Sequence, residues 1–572
     1  MTDRVTGAPS GTPLTEACIR VDVDGLTRRL RGGAVVLDDI SFSILPGELV
    51  AVVGGSGAGK TTLLEAMAGV SPADEGHVRL DGIDLYENLA SYRTVLGYVP
   101  QDDIIHTELP VEATLRYAAR LRLPAGTPPA ALDRAVTTAM ETLDLASRGD
   151  VRVGALSGGQ RKRASIAVEL LTDPHLFFLD EPTSGLDPAT GADLLQVMRR
   201  LADRGATVVF TTHAVQDLTN CDRVVILASG GRLAFTGSPS DALAYFEVER
   251  VEDIYGRLAN DDTPEAWAGR FRRAGGAGVP DVVATTVRPA GRRPGPGPVG
   301  QWATLTSRTL NATIHNRLTL AILLGSPIMV VAMFAVLFRS GAFRFDDPSP
   351  TAIVMILFWV TFGAFFFGLT YGLLQVCTER TILRREHLVG LRLGSYLLSK
   401  VAVLLPFLVL VNVIMLAVLR GLDRLPGASL TTYLSIGFTL ALLSAAALML
   451  GLLTSSAVGN PSQATLALPM LCFPAVLFSG AIVPVNLMAG LGVAISALIP
   501  NRWAFEAVGH DLDVRHLLAE GGSPLGPPLL ASYGGAGTEG TVYYWAILAG
   551  FIAVFFAASL VVLRATSRKG LR

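Results

Sequence analysis

A chain of 572 residues is long enough for more than one folded unit. Charged residues make up 17% of it, against roughly 25% in ordinary soluble domains, while hydrophobic residues reach 50% and mean hydropathy is +0.45. Lys and Arg number 47 against 49 Asp and Glu, a net charge of −2. That balance excludes a disordered chain, which needs low hydrophobicity and high net charge, and a nucleic-acid binder by bulk charge. The composition points to a membrane protein.

In chain order, residues 1–18 are rich in Gly, Pro and Thr and lack the basic start and apolar run of a secretory signal, so a disordered, cytoplasmic N-terminal tail is expected. From about Ile19 to residue 250, short apolar runs such as Leu49–Val53, Leu176–Leu179 and Val208–Phe210 alternate with helical and turn segments, the pattern of α/β units. Residues 251–300 turn polar and break into a Gly/Arg/Pro run at 291–298, which reads as a linker. Beyond it, 301–572 holds six runs suited to crossing a bilayer: about 318–338, 352–376, 396–419, 433–453, 464–484 and 543–563. A 21-residue run such as the first spans roughly 31 Å as a helix. Basic residues in 377–395 and after 563 place those segments, and both termini, in the cytoplasm. The apolar stretch Leu487–Ile499 is too short to span and reads as a re-entrant or interfacial helix. The four cysteines, Cys18, Cys221, Cys377 and Cys472, are scattered without metal-ligand spacing. Only Lys60, Lys162, Lys400 and Lys569 are lysine, an arginine bias that suggests a GC-rich bacterial genome.

The clearest chemistry lies early. Gly54-Gly55-Ser56-Gly57-Ala58-Gly59-Lys60-Thr61-Thr62 matches GxxxxGK[ST] directly after a strand-like run and before a helix-like one. Glycines let backbone N–H groups point at phosphate oxygens; Lys60 neutralises the β and γ phosphates and the Thr61 hydroxyl suits Mg²⁺. The apolar run Leu176–Leu179 ends in Asp180 and Glu181, which puts one carboxylate at the metal and the next at an attacking water; a surface acidic pair is the plain alternative. Between them, Leu156-Ser157-Gly158-Gly159-Gln160 offers a hydroxyl and glycine N–H groups opening a helix near Gln160, an anion site.

With Gln101 in Tyr98-Val-Pro-Gln101, Ser184-Gly-Leu-Asp187 and His213 after a β run, this set and its order resemble the ATP-binding-cassette ATPases over residues 19–246. The resemblance implies two cassettes paired head to tail around ATP and Mg²⁺. Ser157, Gly158, Gly159 and Gln160 of one chain would clamp the γ-phosphate held by Lys60 of the other, with Asp187 beside the nucleotide. Thr61, Gln101 and Asp180 would serve the metal; Glu181, His213 and Gln101 would serve hydrolysis. One departure stands out: where the family stacks adenine on an aromatic, this chain reads Thr27-Arg-Arg-Leu30-Arg.

Cassette before membrane domain, with Glu379-Arg-Thr-Ile-Leu-Arg384-Arg385-Glu386 between spans two and three and Phe478-Ser-Gly480 in span five, resembles the G subfamily, the white and breast-cancer-resistance-protein type of half-transporter. The implied fold is an α/β P-loop NTPase cassette followed by an all-α six-helix transmembrane domain. By the same resemblance Glu379, Arg384, Arg385 and Glu386 form the coupling element, the arginines having a plain second reading as topology signals. Phe367 is the aromatic clamp candidate, alternatively mere helix packing. Ala481 and Ile482 stand where relatives carry a plug above the cavity. Asn412, midway in span three, is costly against lipid and is expected to hydrogen-bond a neighbouring helix. The leading expectation is an ATP-driven homodimeric exporter of lipid, glycolipid or amphipathic molecules in a bacterial cytoplasmic membrane, with a second copy, membrane lipid and the cargo as partners and no nucleic acid. A regulatory ATPase that moves no cargo, or one half of an obligate heterodimer, are the alternatives.

Overall fold

The structure is a computed structural model that describes residues 19–569 apart from 31, 93–94, 261, 276–294, 317–320, 322–324, 326–327, 330–331, 335 and 536. It forms two compact units, meeting in sequence between Gly297 and Pro298.

Among the described residues of the first unit, ten strands make two sheets. β1 (Val21–Arg29), β2 (Val35–Ile44), β4 (Glu75–Leu80) and β5 (Ile83–Asp84) form an antiparallel sheet in the order β2-β1-β4-β5. The larger sheet runs β10-β9-β3-β8-β7-β6, from β3 (Leu49–Gly54), β6 (Leu96–Val99), β7 (Leu176–Leu179), β8 (Thr207–Thr211), β9 (Arg223–Ala228) and β10 (Arg232–Gly237). β9, β3, β8, β7 and β6 are mutually parallel and β10 is an antiparallel edge. Every residue of β3, β7 and β8 is buried, which is why these strands read as unbroken apolar runs rather than alternating ones. The topology carries a consequence: β6, β7, β8 and β3 are neighbours, so the segments leaving their carboxyl ends open on one edge of the sheet, where ligands of open parallel sheets bind.

Between β6 and β7 three helices, Val111–Arg122, Pro129–Thr142 and Gly158–Leu170, stand as a helical layer. The first and third are tied by a two-pronged ion pair, Arg122 to Glu169 at 2.6 and 2.8 Å, with both side chains buried.

The linker expected over 251–300 begins later than its composition indicated. Helices Asp253–Asn260 and Pro264–Arg273 occupy its first half, and the second is part of the core. Trp267 and Phe271 are buried, with Trp267 5.0 Å from Phe246 and Phe271 5.8 Å from Phe235, ring centroid to centroid. Those two aromatics, spaced four apart in a polar helix, hold it down; average polarity concealed them.

The second unit opens with helix Pro298–His315. Among the described residues, four helices are long and apolar enough to cross a membrane: Pro350–Leu373, Leu393–Gly421, Leu430–Ala457 and Thr541–Lys569. Pro461–Leu477 is apolar but shorter, ending before Ser479 and Gly480, the latter at φ +80°. The expected fifth span to residue 484 therefore stops seven residues early as helix. The candidate first span, 318–338, lies largely outside the described residues. Leu487–Ile499 resolves into a single turn at Val485–Leu487 and a short helix Gly490–Ala497. Helices Pro350–Leu373 and Leu430–Ala457 pack closest where glycines stand: a Cβ on Gly368, Gly372 or Gly451 would lie 2.5 Å from the carbonyl oxygen of Ser444, Leu448 or Leu369 respectively. Beside them Asn412 Nδ2 donates to Ser444 Oγ at 3.0 Å, and Ser444 Oγ donates to Ala364 O at 3.1 Å, which satisfies the polar side chain at mid-span.

Candidate nucleotide site

The P-loop leaves β3 and enters helix Lys60–Met67. Gly54 to Gly57 carry the chain outward: Gly55, Ser56 and Gly57 are exposed, whereas Ala58 and Lys60 are buried. Gly59 sits at φ +90°, and a Cβ there would be 2.7 Å from Val36 O, so glycine is required on two counts. Lys60 Nζ curls back to donate to the carbonyls of Gly54 at 3.0 Å and Gly55 at 3.2 Å, which holds the ammonium inside the loop. Thr61 follows on the first helical turn, exposed, with Thr62 beside it.

Asp180 and Glu181 leave β7, the strand next but one to β3. Thr61 Oγ1 donates to Asp180 Oδ1 at 3.1 Å, so the hydroxyl and carboxylate that the motifs assign to a cation are together. These are hard oxygen donors with an open side, the set that suits Mg²⁺ completed by phosphate oxygens and water. Glu181 adopts φ +43°, a left-handed conformation that costs a non-glycine residue on the order of 1–3 kcal/mol. It is held there by Thr211 at the end of β8, whose Oγ1 accepts from Glu181 N at 2.7 Å and donates to Asp180 Oδ1 at 2.6 Å. One hydroxyl thus aligns both acids. Thr211 was visible in the sequence only as the residue two before His213.

Glu181 Oε2 accepts from Gln101 Nε2 at 3.1 Å and lies 3.6 Å from His213 Nδ1. The fold thereby gathers Lys60, Thr61, Asp180, Glu181, Gln101 and His213 from four strand ends. Two residues farther on, Thr212 and Thr183 both donate to Asp217 Oδ2, at 2.7 and 2.9 Å, bracing the His213 turn.

The glycine-rich signature opens helix Gly158–Leu170. Its helix starts at Gly158 rather than near Gln160, because Ser157 is the N-cap: Ser157 Oγ accepts from Gln160 N at 3.3 Å while Gln160 Oε1 accepts from Ser157 N at 3.2 Å, a reciprocal capping box. Ser157 and Gly158 are exposed. Gly159 is buried, and a Cβ on it would be 2.5 Å from Thr190 Cγ2, so its immediate role is close packing. Asp187 is the N-cap of helix Pro188–Asp203 and accepts from Thr190 N at 3.0 Å, a bond that holds its carboxyl below the usual range; it stands exposed. Lys162, the fifth residue of the signature helix, is buried and donates to Pro100 O at 3.2 Å and Gln101 O at 2.7 Å. Burial pushes its ammonium below the usual range, against the pull of Asp103, Asp180, Asp102 and Glu181.

In the second unit the expected coupling residues divide. Arg384 is exposed on helix Arg380–Leu388. Glu386 takes both guanidinium nitrogens of Arg308, the second at 3.0 Å; Glu379 accepts from Lys400 Nζ at 2.6 Å and from Tyr396 OH at 2.9 Å. Arg385 is buried. Glu379 and Glu386 therefore serve the interior of their own unit, because an acid in a low-dielectric setting must be paired there. Burial works against the Arg308 charge, and Glu386 more than offsets it, leaving the guanidinium above its usual range.

The cargo-path candidates differ in burial. Phe367 is 3% exposed, packed beside Phe366 and Tyr371 at 5.9 and 6.1 Å between ring centroids, while Phe362 and Phe366 are the half-buried rings. Ala481 is likewise buried, its carbonyl accepting from Tyr533 OH at 2.7 Å, whereas Ile482 is 47% exposed.

A family model described as ABC transporter matches residues 37–184, and one described as ABC-2 type transporter matches residues 300–510. An ABC transporter ATP-binding/permease protein of Mycobacterium tuberculosis is 35% identical over 509 residues, 87% of this chain and 58% of that protein, so the chain spans little over half of the relative's length. ABC transporter G family member 17 of Arabidopsis thaliana is 28% identical over 65% of this chain and 62% of its own. The Nod factor export ATP-binding protein I of Bradyrhizobium diazoefficiens is 34% identical over 41% of this chain and 76% of its own. With the phosphate-binding geometry and both domain matches in this order, the chain belongs to the ABC transporters, as a G-type half-transporter whose ATP-binding cassette precedes an ABC-2 type membrane domain.

Proposed function

We propose that this chain hydrolyses ATP to drive an amphipathic or lipid-like molecule outward across the cytoplasmic membrane of a bacterium, working as a pair of identical chains. The observation that carries the reading is the convergence of Lys60, Thr61, Asp180, Glu181, Gln101 and His213 on one sheet edge, with Ser157 exposed elsewhere. A single cassette gathers this phosphate and acid set while Ser157 and Gly158 of its signature stand exposed, which suits sites completed by a second cassette.

In this reading Lys60 exchanges its two carbonyls for the β and γ phosphates, and Thr61 and Asp180 hold Mg²⁺, which supplies charge neutralisation on the phosphate oxygens. Glu181, fixed by Thr211, orients the attacking water and receives its proton; Gln101 and His213 keep that carboxylate aimed. Ser157 of the second chain closes the site over the γ-phosphate. Export rather than import rests on the relative named as a Nod factor export protein, and a lipid-like cargo on the apolar helices. Exposed Arg384 is the coupling residue that remains free to meet the cassette; the domain plan is a cassette through Arg273, a linker up to Pro298, and the membrane unit.

The test is Mg²⁺-dependent ATPase of the full chain in nanodiscs, titrated with host lipid extract and with amphipathic drugs. Glu181→Gln keeps the Gln101 contact, so it should bind ATP with near-normal affinity while turnover falls roughly 10²–10⁴-fold, the usual worth of a general base. Normal turnover in that variant would remove Glu181 from its role. Wild-type activity that no lipid or drug changes would refute the cargo reading.

A further inference from the structure

Among the few lysines of this arginine-rich chain, Lys60 belongs to the P-loop and Lys400 to the Glu379 pair. Lys162 has no part in the site as assigned, yet it is 5% exposed and its Nζ lies on two consecutive backbone carbonyls, Pro100 O and Gln101 O. Those carbonyls belong to the segment that carries Gln101, whose side chain in turn bonds Glu181. The N-terminus of the helix bearing Lys162 is capped by Ser157, five residues earlier. A continuous chain of bonds therefore runs from the exposed signature serine through one helix turn and one ammonium to the Gln101–Glu181 pair.

We propose that Lys162 is a positioning residue: it fastens the backbone of Gln101 to the signature helix, so that a displacement of Ser157 moves the side chain aligned with Glu181. The inference rests on the ATPase reading above. Because Ser157 serves the phosphate held by the second chain while Glu181 serves its own, the tether links the two nucleotide sites of a pair. The chemistry explains why lysine persists here between Arg161 and Arg163. Two carbonyls converging on one point suit a compact ammonium with three radiating donors, whereas a guanidinium spreads its donors in a plane.

The test is a double-mutant cycle in the full-length protein in nanodiscs, with Lys162→Met, Gln101→Ala and the combination, and with thermal unfolding and fluorescent ATP-analogue binding recorded for each. Loss of the tether should lower kcat at least tenfold, toward the roughly 10²-fold that a 1 Å misplacement costs, with KM for ATP and analogue affinity within about twofold. In the Gln101→Ala background Lys162→Met should add little, because its effect passes through that residue. The proposal is overturned if Lys162→Met retains full kcat, or if it cuts Gln101→Ala by the same factor as the wild type, the outcome of a generally structural lysine. Lys162→Arg, which keeps the charge, supplies the same cycle if the methionine variant fails to accumulate: a partial kcat loss absorbed by Gln101→Ala supports the tether, and an unchanged kcat overturns it. Wild type without Glu181-dependent hydrolysis would instead sink the ATPase reading itself.

Discussion

Arg308 offers a quantitative test of how the membrane unit is held together. Its side chain is 5% exposed, engages Glu386 through both terminal nitrogens and belongs to a helix that precedes the spans. Arg308→Met leaves Glu386, 13% exposed, without its counter-charge, and breaking a buried pair from one side costs about 3–5 kcal/mol. For a unit of this size that corresponds to a fall in unfolding temperature of roughly 6–20 °C, at 2–4 °C per kcal/mol. Arg308→Met with Glu386→Met removes both charges and replaces them by side chains of similar volume, so most of the loss should return. Tryptophan fluorescence is the suitable assay, because four of the five tryptophans, Trp302, Trp359, Trp503 and Trp545, lie in this unit and only Trp267 in the cassette. A single variant that shifts by less than about 2 °C, or a double variant that falls by the sum of both singles, would refute the pairing as the reason these residues are there.

Thr211→Val keeps the shape of β8 but removes the hydroxyl that Asp180 and Glu181 share, leaving Glu181 N unpaired; a loss of about 1–3 kcal/mol in the hydrolytic step is expected with ATP binding retained, and an unchanged kcat would contradict it. Gly368→Ala places a methyl 2.5 Å from Ser444 O, so helices Pro350–Leu373 and Leu430–Ala457 must separate; folded yield in detergent should fall sharply, and a normal yield would show that the close approach is dispensable. Burial, followed by Asp217 and Asp222, pushes the Cys221 thiol up to about 12. At pH 8 only about one part in 10⁴ would be thiolate, so in a chain whose other cysteines are replaced, alkylation should be negligible until unfolding. Rapid native labelling would show an open thiol.

The nucleotide residues were legible because each motif carries its chemistry in neighbouring positions: glycines beside a lysine, two acids after an apolar run. β3, β7 and β8 were equally legible, since strands buried on both faces need continuous apolar sequence. The sequence left Trp267 and Phe271 inside a supposed linker, because two aromatics at helical spacing are outvoted by surrounding polar residues. It also left open which rings of the second span turn inward, Phe367 being buried and Phe362 and Phe366 half-buried, because a lone chain of apolar letters does not say which side of a span faces inward. Composition and motif order determined the ATP chemistry and the two-part plan. Only the tertiary structure decided which charges act: one strand order brings Thr211 to both acids, one helix brings Lys162 to the Gln101 carbonyl, and one helix packing spends Glu379 and Glu386 inside their own unit. Such choices depend on contacts between residues as far apart as Arg308 and Glu386, which no local pattern encodes.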